Sequence, residues 1–464
     1  MTIHPSTLTA IRPDGKRPAI HPLDVRGRFI TARRIVFAIL IAIYVAAPLV
    51  HIGGHPAIHL DVGARKFFLL GKSFNAQDVW ILLFLLTGAL FTLLFVTAWR
   101  GRVWCGWACP QTVFLEAIYR PIERLFEGPR SRRLKLPQMP WTLTRVLRTG
   151  GKHLSYFIVS VLLSHVALAL FLPFSELALM IGQGPVAHPV PFMWAAGVTA
   201  VLYFNFAWFR EQFCVVLCPY GRLQSLLHDP HSIVIGYDQS RGEPRGPLRK
   251  EANPDDAPRG DCIDCKKCVH VCPTAIDIRV GFQMECLACA QCIDVCDEVM
   301  DKIEKPRGLI RYASLEQFAG RKTRVLRPRL YLYAVLVVIA LGGLSFGLGG
   351  RVLFEANVYR PPGVPWVIEG DEIRNQVQLH LVNKSTTPRT YSIRVETPEG
   401  MKARFEAESL QLKSLEDSYL PLILISNRAT LPLDPTVQVY IRDTSTGEER
   451  MREVGFVAPG LKRR

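Results

Sequence analysis

Cysteine is missing from the chain before position 105 and again beyond position 296; all twelve lie between Cys105 and Cys296, in tight groups. That distribution argues against a disulfide-stapled secreted fold. Regular C-x-x-C spacing points instead to metal ligands facing a reducing compartment. Acidic residues are also scarce, 40 against 56 basic, leaving a net charge of +16 and a pI near 9.4. No groove-reading module accompanies this charge, so it is not a nucleic-acid footprint. Nor is a cleavable signal peptide evident. The first 32 residues are polar, Pro-rich and basic, and the first apolar run starts too late and runs too long.

What the chain has in quantity is apolar sequence, 49% hydrophobic and gathered in long runs. A membrane-crossing helix needs roughly 20 such residues. Five segments qualify, near 33–51, 78–99, 154–174, 191–209 and 330–349. Val79 to Ala98 holds no charge, whereas the first run is purely apolar only from Ile35 to Val50. Asn205 and His165 inside spans are tolerable where they face other helices. Loop charge sets the threading. The N-terminal tail carries Arg12, Lys16, Arg17, Arg26 and Arg28, with Arg33 and Arg34 at the membrane edge. The 100–152 connection holds eleven Lys/Arg and the 175–190 connection none. By the positive-inside rule the N-terminus, 100–152 and 210–329 are cytoplasmic, and an odd number of spans leaves the C-terminal region outside.

That outer region reads as strands. Val377, Leu379 and Leu381 alternate with polar residues, as do Tyr391, Ile393 and Val395. Asn383-Lys384-Ser385 and Thr397 to Gly400 punctuate them as turns. Further runs at Leu422–Ile425 and Val437–Ile441, the latter closed by Asp443 to Gly447, predict an antiparallel, Ig-like β-sandwich.

The strongest motif is a pair of four-cysteine runs. Cys262, Cys265, Cys268 and Cys272-Pro273 form one; Cys286, Cys289, Cys292 and Cys296 form the other. Both have the x2-x2-x3 spacing of a bacterial two-cluster ferredoxin. In that arrangement three cysteines wrap one cubane while the fourth begins a helix and reaches the other. Cys262, Cys265, Cys268 and Cys296 are therefore expected to hold one 4Fe–4S cluster, and Cys286, Cys289, Cys292 and Cys272 the second. Asp297 stands where a second proline is usual, without consequence, since proline is not a ligand. Zinc is the alternative for C-x2-C pairs, but two complete runs favour clusters. Two clusters in one small unit are built to pass single electrons.

The other four cysteines form a repeat. AWRGRVWCGWACPQ (98–111) and AWFREQFCVVLCPY (207–220) align without a gap, each placing C-x3-C-P just after a span. With i,i+4 spacing on a helix, Cys105 and Cys109, and Cys214 and Cys218, would each share a face, so two pairs could make a four-sulfur site. Thiolates are soft ligands that favour Cu(I), and Arg100, Arg102 and Arg210 would lower the thiol pKa. The plainer alternative is buried helix-end cysteines that only pack. His51, His55 and His59 are broken by Gly53, Gly54 and Pro56 and read as an interfacial loop. His165 has no partner for haem on its own span. Gly343-x3-Gly347 fits small-residue helix packing.

These residues resemble the FixG/CcoG (RdxA) family, accessory proteins of the cbb-type cytochrome c oxidase. The resemblance is carried by RVWCGWACPQTVFLEA (102–117), CVVLCPYGRLQS (214–225), YDQSRGEPRG (237–246), GDCIDCKKCVHVCPTAIDIR (260–279), ECLACAQCIDVCDEVM (285–300) and GLIRY (308–312). It implies a Cu(II) reductase for oxidase assembly, with Cys105, Cys109, Cys214 and Cys218 as catalytic, copper-binding thiols. Oxidase assembly factors, a copper transporter or chaperone and a cytoplasmic electron donor are the implied partners, beside membrane lipid and a homodimer. The expected architecture is a multi-domain integral protein of the bacterial inner membrane. It has a cytoplasmic tail (1–32), a four-helix membrane domain (33–229), a cytoplasmic ferredoxin-like domain (230–329), a fifth helix (330–350) and a periplasmic Ig-like sandwich (351–464). Two rival readings stand beside it: a quinol-linked module of NapH/NosR type feeding a periplasmic reductase, and a non-redox assembly scaffold.

Overall fold

The computed structural model describes residues 20–52, 55–63, 65–75, 78–247, 259–350, 353–385, 387–405, 408–428, 431 and 435–459. Arg12, Lys16 and Arg17 of the tail fall outside them. Five long helices form: α1 (Arg28–Ala46), α2 (Val79–Arg100), α3 (Leu143–Leu168), α4 (Pro189–Phe204) and α5 (Pro328–Gly349). A π-turn over Asn205–Phe209 extends α4. All five are long and apolar enough to cross a membrane.

Two helices start earlier than their apolar runs. α1 begins at Arg28 because Asp294 accepts the backbone N–H groups of Phe29 (3.2 Å) and Ile30 (2.8 Å), satisfying donors at a helix start that Gly27 cannot cap. α3 begins at Leu143, where Thr142 caps the Arg145 N–H. The loop expected at 175–190 is partly helical, over Phe174–Gln183. The paired glycines of α5 are notches: an added Cβ would strike the Phe84 ring at Gly343 and the Trp80 ring at Gly347.

The chain divides into two units, residues 1–49 with 82–344 and residues 50–81 with 345–464. In the first, Val234–Tyr237 pairs antiparallel with Ile310–Ala313. The short helix Lys267–Val271 and the longer Gln291–Lys302 pack with this ribbon over Ile235, Val271, Ile293, Met300 and Leu309.

The second unit holds a small three-stranded sheet, β1 (Ile58–Asp61), β2 (Lys66–Leu69) and β3 (Lys72–Phe74). Two larger sheets follow. The first has the order β7 (Met401–Phe405), β9 (Asp417–Asn427), β5 (Glu372–Asn383), β4 (Phe354–Tyr359). The second runs β8 (Ser409–Leu412), β6 (Arg389–Glu396), β10 (Thr436–Asp443), β11 (Glu449–Gly455). Alternate residues of the inner strands, among them Val377, Leu379, Leu422, Ile393 and Val439, fill the space between them. The small sheet is tied to the sandwich. Ser73 Oγ donates to the Lys384 carbonyl (3.0 Å) and Lys66 Nζ to that of Leu415 (2.9 Å). Buried Lys384 pairs with Asp78 (3.2 Å) and Glu355 (2.6 Å). The connection between the first two spans is therefore a docked element of the second unit, where charge counting read only a loop.

Candidate functional site

The four-cysteine runs fold with the same local trick twice. Asp264 and Lys266 take left-handed backbone angles in the first run, as Ala288 and Ala290 do in the second. For non-glycine residues that conformation costs roughly 1 kcal/mol each. Its payoff is a tight loop that turns successive sulfurs toward one point. In both runs the third cysteine already lies in a helix: Cys268 in Lys267–Val271 and Cys292 in Gln291–Lys302, which also carries the fourth, Cys296. Cys272 caps the first helix in extended conformation, because Pro273 follows and disfavours the helical region.

Two cavities result. One is lined by Cys262, Cys265, Cys268 and Cys296, with Ile263, Val295 and Ile310. The other is lined by Cys272, Cys286, Cys289 and Cys292, with Ile235, Ile276 and Ile278; Cys268 touches it too. Each draws three cysteines from one run and its fourth from the other. Burial pushes the thiols up, to about 12 for Cys268, Cys286 and Cys296 and about 11 for Cys289. Buried sulfurs of this kind are poor free thiolates but good ligands once cationic iron neutralises them. The donor set, the apolar walls and the loop geometry fit iron–sulfur clusters. Cys265 is exposed, whereas Cys289 is buried.

The membrane-edge cysteines also meet, by a different route from the expected one. Cys105 lies in the short helix Val103–Trp107 and Cys214 in the π-turn Phe213–Leu217, but Cys109 and Cys218 are extended N-caps of the helices that follow. Pro110 and Pro219 drive both out of the helical region, so neither pair shares a helical face. The two loops instead face each other: Cys109 senses Cys105 and Cys218, and Cys214 senses the other three. The thiol chemistry is corrected too. Burial, reinforced by the neighbouring sulfurs, raises Cys109 and lifts Cys214 to about 12. Of the three arginines expected to help, Arg100 lies over the Trp99 ring and Arg210 pairs with Glu123 at 2.9 Å. Only Arg102 faces the sulfurs, 3.9 Å from Cys105 Sγ. Among the described residues no three His, Cys, Asp or Glu side chains are arranged around a single metal ion.

A buried ionic network fixes the two loops to each other. Arg120, downstream of Cys109, pairs with Glu116 and with Glu211, which lies just ahead of Cys214. Glu123 receives Arg210, Arg133 (3.4 Å) and His21 (3.3 Å), and these partners hold its carboxyl far below the ordinary range despite burial.

Several contacts at the site escaped the sequence reading. Gly106 lies so close to the second cysteine run that an added Cβ would stand 2.4 Å from the Leu287 oxygen. Fully buried Arg33 donates through Nε to the Gly106 carbonyl (2.9 Å) and faces Cys289. Arg102 donates to the Met284 carbonyl, and buried Gln224 reaches Cys105 Sγ (3.7 Å). The membrane-edge thiols and the Cys286–Cys292 loop are thus packed backbone against backbone at Gly106, with two arginines at the seam. The glycine between Cys105 and Cys109 was the one local signal.

Comparison with known proteins agrees with this arrangement. Residues 209–315 match the family described as a 4Fe-4S dicluster domain, residues 81–137 a 4Fe-4S binding domain, and residues 344–459 the IG-like fold at the C-terminal of FixG. The nitrogen fixation protein FixG of Rhizobium meliloti is 33% identical over 428 residues, 84% of this chain and 80% of that protein. Protein RdxA of Cereibacter sphaeroides is 34% identical, covering 85% of each, and its RdxB 33%, covering 92% and 89%. A crystal structure of a FixG-related protein from Vibrio parahaemolyticus aligns with 24% of this chain and 99% of its own, at 18% identity and a TM-score of 0.21. With relatives matched along most of their length and its cysteine runs folded into paired cavities, the chain belongs to the FixG/RdxA family of membrane iron–sulfur electron-transfer proteins.

Proposed function

We propose that this protein reduces Cu(II) to Cu(I) at its membrane-edge thiols and supplies the product for assembly of a cbb-type cytochrome oxidase. The observation that carries the reading is the meeting of Cys105, Cys109, Cys214 and Cys218 beside the Cys286–Cys292 loop. When bound at the two cysteine cavities, 4Fe–4S clusters supply one-electron chemistry. The thiols take the copper ion, and their softness favours retention of Cu(I) over Cu(II). Arg102 offsets the negative charge that ligation creates, while Gln224 orients the Cys105 sulfur. Exposed Cys265 marks the side on which a cytoplasmic donor docks. A copper chaperone or transporter takes the product. The loop-charge bias supports a bacterial inner-membrane location with the cysteine-rich part in the cytoplasm and the sandwich in the periplasm.

The test is Cys105→Ala with Cys109→Ala, assayed anaerobically on purified protein. Cluster absorbance is expected to persist while Cu(II) reduction is lost; reduction at the parental rate would refute the thiol assignment. A second reading has its own support. The 4Fe-4S binding match over 81–137 includes Cys105 and Cys109, and no single-ion geometry exists among the described residues. On that reading the four thiols hold a further cluster. Iron and sulfide counts per chain decide, showing two clusters' worth or three.

A further inference from the structure

At the start of α3 a cavity of about 230 Å³ opens, lined by Arg132, Arg145 and Arg148 and by Thr149, Leu136 and Met139. One carboxylate, Glu127, also borders it, but Lys152 already neutralises that group at 2.5 Å. Three arginines therefore line one concave site without a free counter-charge of the protein's own on its wall, and the Arg145 guanidinium is held there by the Met139 carbonyl. Guanidinium forks match phosphate oxygens, and the apolar part of the wall suits the glycerol and acyl ends of a lipid.

Depth in the bilayer comes from the same segment. α3 is one of the five helices able to span a membrane, and the cavity lies on its first two turns. Trp141 is 71% exposed, and Leu143, Val146 and Leu147 are also exposed there. Arg145 lies over the Trp141 ring, 4.1 Å from its centroid. An exposed aromatic beside exposed aliphatics marks the headgroup level, and a basic pocket at that level recognises anionic headgroups. We propose that this cavity binds the phosphate of an anionic phospholipid such as phosphatidylglycerol.

The experiment uses the full-length protein, delipidated in detergent micelles. It is titrated with dioleoyl phosphatidylglycerol, dioleoyl phosphatidylcholine or inorganic phosphate, and occupancy is read by native mass spectrometry. Wild type is expected to prefer phosphatidylglycerol by at least about tenfold, and Arg132→Gln/Arg145→Gln/Arg148→Gln to lose that preference. A charge-matched variant at exposed sites elsewhere, Arg26→Gln/Lys322→Gln/Arg324→Gln, is expected to retain it. Equal loss in both triple variants would mean diffuse charge and overturn the site, as would an unchanged preference in the first. Inorganic phosphate displacing the lipid at equal concentration would overturn the lipid assignment. Arg132 is exposed, so Arg132→Gln alone leaves folding intact. It should weaken phosphatidylglycerol binding by about fivefold, and no weakening would overturn the site.

Discussion

Replacing Gly106 by alanine tests whether the seam between the thiol loop and the second cysteine run matters. The new Cβ would stand 2.4 Å from the Leu287 oxygen and 3.0 Å from both the Ala288 carbonyl carbon and Cys289 Cα. All three are backbone atoms, so no side-chain rotation relieves the clash. Ordinary contact begins at 3.4 Å, so the loops must part by about 1 Å, the difference 3.4 − 2.4. That movement strains the Arg33–Gly106 bond (2.9 Å) and the Arg102–Met284 bond. Overpacking contributes roughly 1–3 kcal/mol and a weakened charged hydrogen bond roughly 1.5–3 more, so the seam should loosen by about 2.5–6 kcal/mol. Hydrogen exchange on the full-length protein reads this directly. Amides around 103–107 and 284–290 should exchange at least about 70-fold faster, while the sandwich strands stay protected. Cluster absorbance should hold and Cu(II) reduction should fall. If protection and rate both match wild type, the contact does not join the two centres.

Three further outcomes are expected. Lys384→Met leaves Asp78 and Glu355 without their shared cation and should cost about 3–5 kcal/mol, read as a lower melting temperature that Lys384→Met with Glu355→Gln partly restores. Cys296→Ser should remove the same electron paramagnetic resonance signal as Cys262→Ser, and Cys272→Ser the same as Cys286→Ser; grouping by run instead would contradict the crossed cavities. His228 is pushed down to about 4 by burial and then by Arg102. Its neutral form is the folded one, so its stabilisation is complete above the ordinary 6.5 and erodes as pH falls toward about 4. Urea midpoints should show about 2 kcal/mol less stability at pH 5 than at pH 7 from this group, and His228→Phe should abolish that component.

The features legible in the sequence were those written locally. Spacing alone identified Cys262 to Cys296, because ligands of one cluster must follow each other closely, and composition alone found the five spans. Sandwich strands such as Glu372–Asn383 were visible as alternation. What was not legible depends on distant partners. Asp294 caps a helix whose first residue is Arg28, and Lys384 meets Asp78 from the far end of the chain. The thiol pKa direction was misjudged because counting nearby arginines ignores burial and where each side chain points. The broken helix at Cys109 and Cys218 was readable, since proline follows both, and the i,i+4 spacing overrode that signal.

The small sheet between the first two spans carries a consequence for biogenesis. β1 to β3 emerge from the ribosome early, but their anchors, the Lys384 and Leu415 carbonyls and the Lys384 ammonium, are among the last parts made. Both segments must lie on the same face of the membrane, which the four helices between them, α2 to α5, provide when each crosses it. The early sheet therefore waits for its partner until the final domain has been made and lies on the same face. Completion of that contact is a molecular sign that the whole chain has been threaded, and a ribosome stalled before residue 354 would leave it unmade.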